Sequence, residues 1–273
     1  IGAPQFLSER TFHNLLNNLS ILAIVSLGQM IVMITAGIDI SVGTAMGLVA
    51  MSIGLLLIEF PNMNPIIAIL FGMIMGTVMG FVNGLLVVKG KIVALIATLA
   101  TMNIFRGINV FINNIFYEGQ YIGAEKLSTE FKSITRFEIL GLPIMIYYVL
   151  FIYIVFYFIL HHTKFGRQIY ATGSNLDAAN TLGIDTSKIL IGAYSLCGLM
   201  FGIAGVLYLS LYTSAQTDTG LGFEFITITA VIIGGISVFV LIYFTGKTYQ
   251  LLTSKESYIP AIILFFNPFV WIM

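Results

Sequence analysis

The chain has 273 residues, 58% of them hydrophobic and only 9% charged, with a mean hydropathy of +1.00. A domain whose surface faces water carries about 25% charged residues, so 12 basic and 12 acidic side chains exclude a soluble globule of this length and leave the bulk of the surface to lipid. A formal net charge of zero offers no basic footprint for nucleic acid.

The opening Ile1-Gly2-Ala3-Pro4 has no Met, no basic region and no apolar core, so it reads as a segment cut from a longer chain and not as a signal peptide. A helix that crosses hydrocarbon takes about 20 mostly apolar residues. The first such run is Leu19–Ala36, closed by the break Gly37-Ile38-Asp39. Ile40–Ile58 follows, then Pro65–Val88, then Ile92–Ile112, which contains Arg106. Leu140–Leu160, Ile189–Tyr212 and Phe225–Phe244 complete seven predicted spans, and Ile259–Met273 is a partial eighth. The apolar runs are continuous, without the two-residue alternation of a barrel strand. The predicted fold class is therefore all-α, a polytopic transmembrane helix bundle, arranged as one domain over residues 1–273.

Orientation follows from the basic residues of the short connectors. Lys89 and Lys91 mark one cytoplasmic connector, and Lys164, Arg167 and Lys188 mark residues 161–188 as another. Residues 59–64 and 213–224 contain neither Lys nor Arg and are expected outside, as are residues 113–139 and 1–18. The count implies a further helix upstream.

Within the spans, Gly72, Gly76, Gly80 and Gly84 recur at four-residue spacing, a ridge on which a second backbone can settle closely. Gly198, Gly202 and Gly205 offer a similar face. Bundle packing explains both, and a helix sliding on its neighbour during transport is the sharper alternative. Asp39 lies beside a helix break, followed by Ser41 and Gly43. Its carboxylate can cap the next helix, or the trio Asp39, Ser41 and Gly43 can serve translocation or gating, because charge near hydrocarbon is costly and faces a cavity or partner. Arg106 is expected to snorkel to the outer interface. His161 and His162 read as interfacial, with no metal site, and the lone Cys197 reads as a small buried hydrophobe.

No catalytic constellation stands out. A phosphate-cradling loop needs Gly-x4-Gly-Lys-Ser/Thr, but the residue five before Gly246-Lys247-Thr248 is Leu241, and Gly90-Lys91 is followed by Ile92. The chain is not expected to be an enzyme or to bind a cofactor, and any ATP is used by a partner subunit. The segment Thr163–Lys188 is polar and punctuated by glycine. Ser174 or Asn175 can cap a short helix through Leu182, with Gly183 ending it. Such a helix on the membrane face suits docking of a cytoplasmic subunit, through Gly173, Asn175, Ala178, Ala179 and Gly183; an ordinary connector is the alternative.

Four ordered stretches resemble the ribose-type family of ABC permeases. They are ITAGIDISVGTAMGL (34–48), IVALIATLATMNIFRGI (92–108), FGRQIYATGSNLDAANTLGIDTSKI (165–189) and the run from YSLCGLMFGIAGVLY through SAQTDTGLGFEFITITAVIIGGIS (194–237). The resemblance implies a type II importer permease in the bacterial inner membrane, moving a monosaccharide such as ribose, or a furanosyl signal, by alternating access. It implies three partners: a cytoplasmic ATP-binding subunit that engages residues 165–189, an extracytoplasmic sugar-binding protein, and a second permease. Two departures stand against it: the first family helix is absent, and beyond Ser237 the glycine-rich continuation gives way to bulky Val238–Phe244. A shifted reading frame or a divergent subfamily accounts for the second. The alternative class is an ATP-independent carrier or channel for a small polar solute, which calls for ion-coupling charges or inverted repeats around broken helices; Gly37–Gly43 is one break without an evident mate.

The topology is tested by labelling. An impermeant reagent should leave residues 161–188 unmodified in intact cells and modify them after lysis; labelling in intact cells would contradict the orientation.

Overall fold

The computed structural model describes residues 8–119 and 121–236. Ten α-helices account for nearly all of it: α1 (Glu9–Ile34), α2 (Val42–Glu59), α3 (Pro65–Val88), α4 (Ala94–Tyr117), α5 (Thr129–Arg136), α6 (Ile144–His162), α7 (Lys164–Ser174), α8 (Leu176–Thr181), α9 (Thr186–Tyr212) and α10 (Phe223–Ala230). A π-helical turn, Val231–Ile236, follows α10. Residues up to Val231 form one compact unit.

Among the described residues, α1, α2, α3, α4, α6 and α9 are long and apolar enough to cross a membrane. They correspond to the first six predicted spans. Pro65–Val88 has the predicted bounds, because Asn64 accepts the Ile66 N–H at 2.9 Å and Pro65 supplies a first helical residue that needs no N–H partner. The first helix begins ten residues before the apolar run: Ser8 caps it, its hydroxyl accepting the Thr11 N–H at 3.3 Å, and polar residues 9–18 are helical too. The predicted Leu140 start moves to Ile144. Residues 138–143 instead make a two-stranded hairpin, β1 (Glu138–Ile139) against β2 (Leu142–Pro143), with both turn residues at positive φ (Leu140 +53°, Gly141 +75°). Of the predicted span Phe225–Phe244, residues up to 236 are helical; the rest, like Ile259–Met273, lies outside the described residues.

The bundle is organised around α9, which packs along α3, α1 and α2. The side chains of α2 and α9 are mostly buried, whereas α3, α4 and α6 present apolar faces outward through residues such as Ile74, Phe81, Ile104, Phe111, Phe151 and Phe158. Exposed apolar stripes on helices that are hydrophobic all round are what lipid solvates.

The glycine ridge explains the closest contact. A Cβ at Gly76 would overlap the Gly198 carbonyl oxygen and come within 2.6 Å of the Gly202 Cα; one at Gly80 would overlap the Tyr194 carbonyl. Gly72 meets Val206 and the Gly202 carbonyl, and Gly84 meets Ile191. Two backbones therefore touch with no side chain between them, the packing that lipid, offering no hydrophobic drive, leaves available. The two glycine faces read from sequence are thus largely one interface, seen from its two sides. Gly205 differs: it turns away from α3 and packs on Met46 and Val49 of α2.

Gly76→Leu should push α3 off α9 and cost about 1–3 kcal/mol or more of overpacking strain. Melting in detergent would read it, with Gly107→Leu, where nothing lies within 4 Å, as the neutral comparison. Equal melting of the two variants would contradict the contact.

Candidate functional site

One end of the bundle carries α7 and α8. Asn175 caps α8, its side-chain oxygen accepting the Ala178 N–H at 2.9 Å. Gly183, at φ +80°, lets the chain reverse after Leu182, with the Gly183 N–H donating to Asn180 O and the Ile184 N–H to Ala179 O at 3.0 Å each. This is the expected cap and stop, with Asn175 rather than Ser174 as the cap. Asp185 then caps α9, and the Lys188 ammonium 2.9 Å away holds its carboxyl below the usual range.

The five candidate docking residues do not share one face. Asn175, Ala178 and Gly183 are exposed. Ala179 is buried, and Gly173 packs so tightly on the Ile34 carbonyl that no side chain fits there. Gly173 thus seats α7 on the end of α1. Sequence reasoning passed over Leu176 and Leu182, which are 45% and 79% exposed beside Asn175 and Gly183 and provide the apolar part of the surface.

Directly behind Gly173 lies the α1–α2 break. Asp39 is fully buried, and its Oδ1 accepts the Ser41 N–H at 2.8 Å and the Ser41 hydroxyl at 2.6 Å. Asn83 of α3 donates its amide to Asp39 Oδ2 at 3.1 Å and to Ser41 Oγ at 2.8 Å. Gln29 of α1, oriented so that both of its amide groups are satisfied, donates to Asp39 O at 3.0 Å and accepts the Asp39 N–H at 3.3 Å. Asp39 therefore does not cap α2. It reaches only to the residue two ahead, tying the turn in front of the helix, and its second oxygen joins α3. Ser41 is the N-cap residue and makes no side-chain cap bond. Tyr194 of α9 and Thr98 of α4 both donate to the Ile38 carbonyl at 3.4 Å, so five helices meet at this break. Gln29, Asn83 and Tyr194 were missed from sequence; a lone Gln and a lone Asn inside apolar runs were the available signal, since such groups need partners in hydrocarbon.

Gly43 belongs to a different contact. After α9 the chain passes Thr213 at φ +52°, pairs Ala215 with Ile122, and then turns back into the bundle. The Thr219 carbonyl lies on Gly47 and the Gly220 carbonyl on Gly43, while the Ile122 side chain rests on Gly54. Gly54 to Gly43 is 11 residues of helix, about 16 Å at ~1.5 Å per residue, so residues 213–222 form an elbow that descends along α2. The connector thus does not stay at one end of the bundle but enters it, a re-entrant course within the helices. Gly43 and Gly47 leave room for its backbone, and part of that backbone is paired locally, the Thr219 N–H donating to Gln216 O and the Leu221 N–H to Asp218 O at 3.1 Å each. Glu224, nearly fully buried, follows at the start of α10; Oε1 accepts the Gly222 N–H at 3.2 Å, and Oε2 lies against Gly43 without a hydrogen-bond partner.

The opposite end holds an open cleft of about 770 Å³ between α1 and the hairpin, lined by Glu9, Arg10, His13, Asn17, Arg136 and Glu138. His13 Nδ1 and Glu138 Oε1 are 3.1 Å apart across it. Arg106 is exposed on α4. His161 and His162 stack on Tyr157 and Phe158 at the end of α6, and Cys197 is buried under Gly28.

The comparisons with known proteins agree with this architecture. A family model described as branched-chain amino acid transport system / permease component matches residues 11–264. The ribose import permease protein RbsC of Escherichia coli (strain K12) is 34% identical over 239 residues, covering 86% of this chain and 72% of that protein. RbsC of Bacillus subtilis (strain 168) is 35% identical over 235 residues, 86% of this chain and 71% of that one. The autoinducer 2 import system permease protein LsrC of Salmonella paratyphi B is 35% identical over 234 residues, 86% of this chain and 65% of that one. No solved structure matches the chain. Six helices among the described residues that are long and apolar enough to cross a membrane, together with a match over nearly the whole length, identify a multi-pass membrane protein that belongs to the branched-chain amino acid transport system / permease component family.

Proposed function

We propose that this chain is the membrane-spanning permease subunit of an ATP-driven bacterial importer for a monosaccharide such as ribose. The observation that carries the reading is the 34–35% identity to ribose import permeases over 86% of the chain. The subunit moves solute by alternating access in the inner membrane, and ATP is hydrolysed on a separate cytoplasmic subunit. It pairs with a second permease copy or homologue, and an extracytoplasmic binding protein delivers the sugar. The open cleft beside His13 and Glu138, with charges of both signs, supports docking of that protein on the face away from α7 and α8.

The ATP-binding subunit docks on α8. Its exposed turn, with Leu176 and Leu182 flanking Asn175, Ala178 and Gly183, presents an apolar patch on an otherwise polar segment. Ala179 and Gly173 act from behind it: Ala179 packs α8 inward, and Gly173 sets α7 on the Ile34 carbonyl. A push on α8 thereby reaches the α1–α2 break, where Asp39 and Ser41 tie α1, α2 and α3 together. Gly43, one turn on, is where α2 meets the re-entrant elbow. Asp39, Ser41 and Gly43 thus serve gating by joining moving parts, and none of them needs to touch solute.

Two variants test the docking surface. Gly183→Arg places a side chain at positive φ, a cost of about 1–2 kcal/mol, and Asn175→Lys removes the α8 cap, about 1 kcal/mol. Both should weaken co-purification of the ATP-binding subunit at least tenfold while membrane insertion is kept. Undiminished assembly in both would contradict the docking assignment.

A further inference from the structure

Where the elbow leaves α9, aromatic and polar side chains lie together, Tyr212, Gln216 and Asp218 exposed and Tyr208 and Phe223 half-buried against the core. Tyr208 and Tyr212, one turn apart on α9, have ring centroids 4.4 Å apart with their planes inclined at 41°. Phe223 stands edge-on to Tyr208 at 6.3 Å and 83°. The Tyr212 hydroxyl donates to Asn18 Oδ1 of α1, which fixes the ring and leaves the Asn18 amide nitrogen facing away from it. On the elbow, Gln216 and Asp218 are exposed, and among the described residues neither side chain has a hydrogen-bond or ionic partner. Asp218 lies within electrostatic reach of the Tyr208 hydroxyl.

The depth of Asp218 makes this arrangement costly without a ligand. Its neighbour Thr219 lies on Gly47, which is 12 residues from the end of α2 at Glu59, about 18 Å at ~1.5 Å per residue. An exposed carboxylate at that level cannot face acyl chains and marks a solute path or a water-filled cavity. The chemistry around it is selective. Aromatic faces bury the C–H surface of a flat ring, and a carboxylate and an amide accept and donate to adjacent hydroxyls. Among the described residues the carboxylate has no cation paired with it, which disfavours solutes that carry their own negative charge, such as amino-acid carboxylates or sugar phosphates.

We propose that Tyr208, Tyr212, Gln216 and Asp218, with Asn18 and Phe223 beside them, form a binding station for a neutral hydroxyl-rich ring, a monosaccharide, where the elbow enters the bundle. The proposal rests on the importer reading above and gives that reading a solute contact within the permease. The aromatic pair holds one face of the ring while Asp218 and Gln216 hold its hydroxyls, and Glu224 and Gly43 lie farther along the same elbow.

The test uses the full chain assembled with its ATP-binding subunit in nanodiscs, probed by saturation-transfer NMR with ribose, glucose, xylitol and leucine in turn. The wild-type assembly should bind ribose or glucose, and neither the acyclic xylitol nor leucine. Asp218→Asn and Tyr208→Ala should each weaken that binding at least tenfold, and Gln216→Ala severalfold. Uptake in proteoliposomes should show the same loss as a raised KM, with basal ATP hydrolysis and assembly retained. Binding that is unchanged in Asp218→Asn and Gln216→Ala would overturn the station while leaving the importer reading intact. Leucine binding in place of the sugars would overturn both. Should Tyr208→Ala fail to assemble, Tyr208→Leu, which keeps bulk and removes the aromatic face, carries the same comparison beside Gln216→Ala.

Discussion

Everything in this bundle is referred to the contact between α3 and α9, where two helix backbones touch without intervening side chains. In water such a contact would bury little apolar surface and contribute little. In lipid, where tails solvate leucine as well as protein does, close van der Waals approach is the available drive, and glycine is what permits it. The register of that contact fixes much else. With Gly80 on the Tyr194 carbonyl, the Tyr194 ring turns to the Ile38 carbonyl and Asn83, one turn beyond, reaches Asp39 and Ser41. A shift of one residue would leave the buried Asp39 carboxyl with fewer donors, at a cost of about 1–3 kcal/mol for each buried group left without its hydrogen bond.

Two consequences run in opposite directions along the bundle. Toward α7 and α8, the break between α1 and α2 is a rigid junction, because Asp39 is bonded through both oxygens and its backbone is held by Gln29. Gly173 sits on the end of α1 just before this junction, so displacement of the exposed loop has a short mechanical route into α1, α2 and α3. Toward the other end, α9 delivers the chain into the elbow, whose backbone lies on Gly43 and Gly47. One helix, α2, is therefore gripped at its start by the junction and along its first turns by the elbow. An element held by both is suited to opening one side of a pathway as the other closes.

The spans were legible because a 20-residue apolar requirement leaves few alternatives, and Asn64-Pro65 and Asn175 with Gly183 are local signals that the chain obeys. Helix starts in polar sequence were not legible: residues 9–18 are helical through the Ser8 cap and contacts to the hairpin, which hydropathy does not see. The re-entrant elbow was hidden for the same reason. Residues 213–224 have the composition of any outer connector, and only the arrival of Gly43 and Gly47 opposite them, set by tertiary packing, allows descent. Asp39 was visible as a charge in an apolar setting, but its partners Gln29 and Asn83 come from helices 10 and 44 residues away in sequence. Gly173 had the right neighbourhood and a different role, since its value lies in having no side chain beneath α7.

In the proposed importer this polypeptide is a conduit driven from outside itself. The most direct measurement is uptake of radiolabelled ribose into proteoliposomes holding the chain, its binding protein and ATP, with and without the ATP-binding subunit. Uptake that requires the subunit and stops when its hydrolysis is blocked is the predicted result. Net solute movement at full rate in its absence would contradict the account.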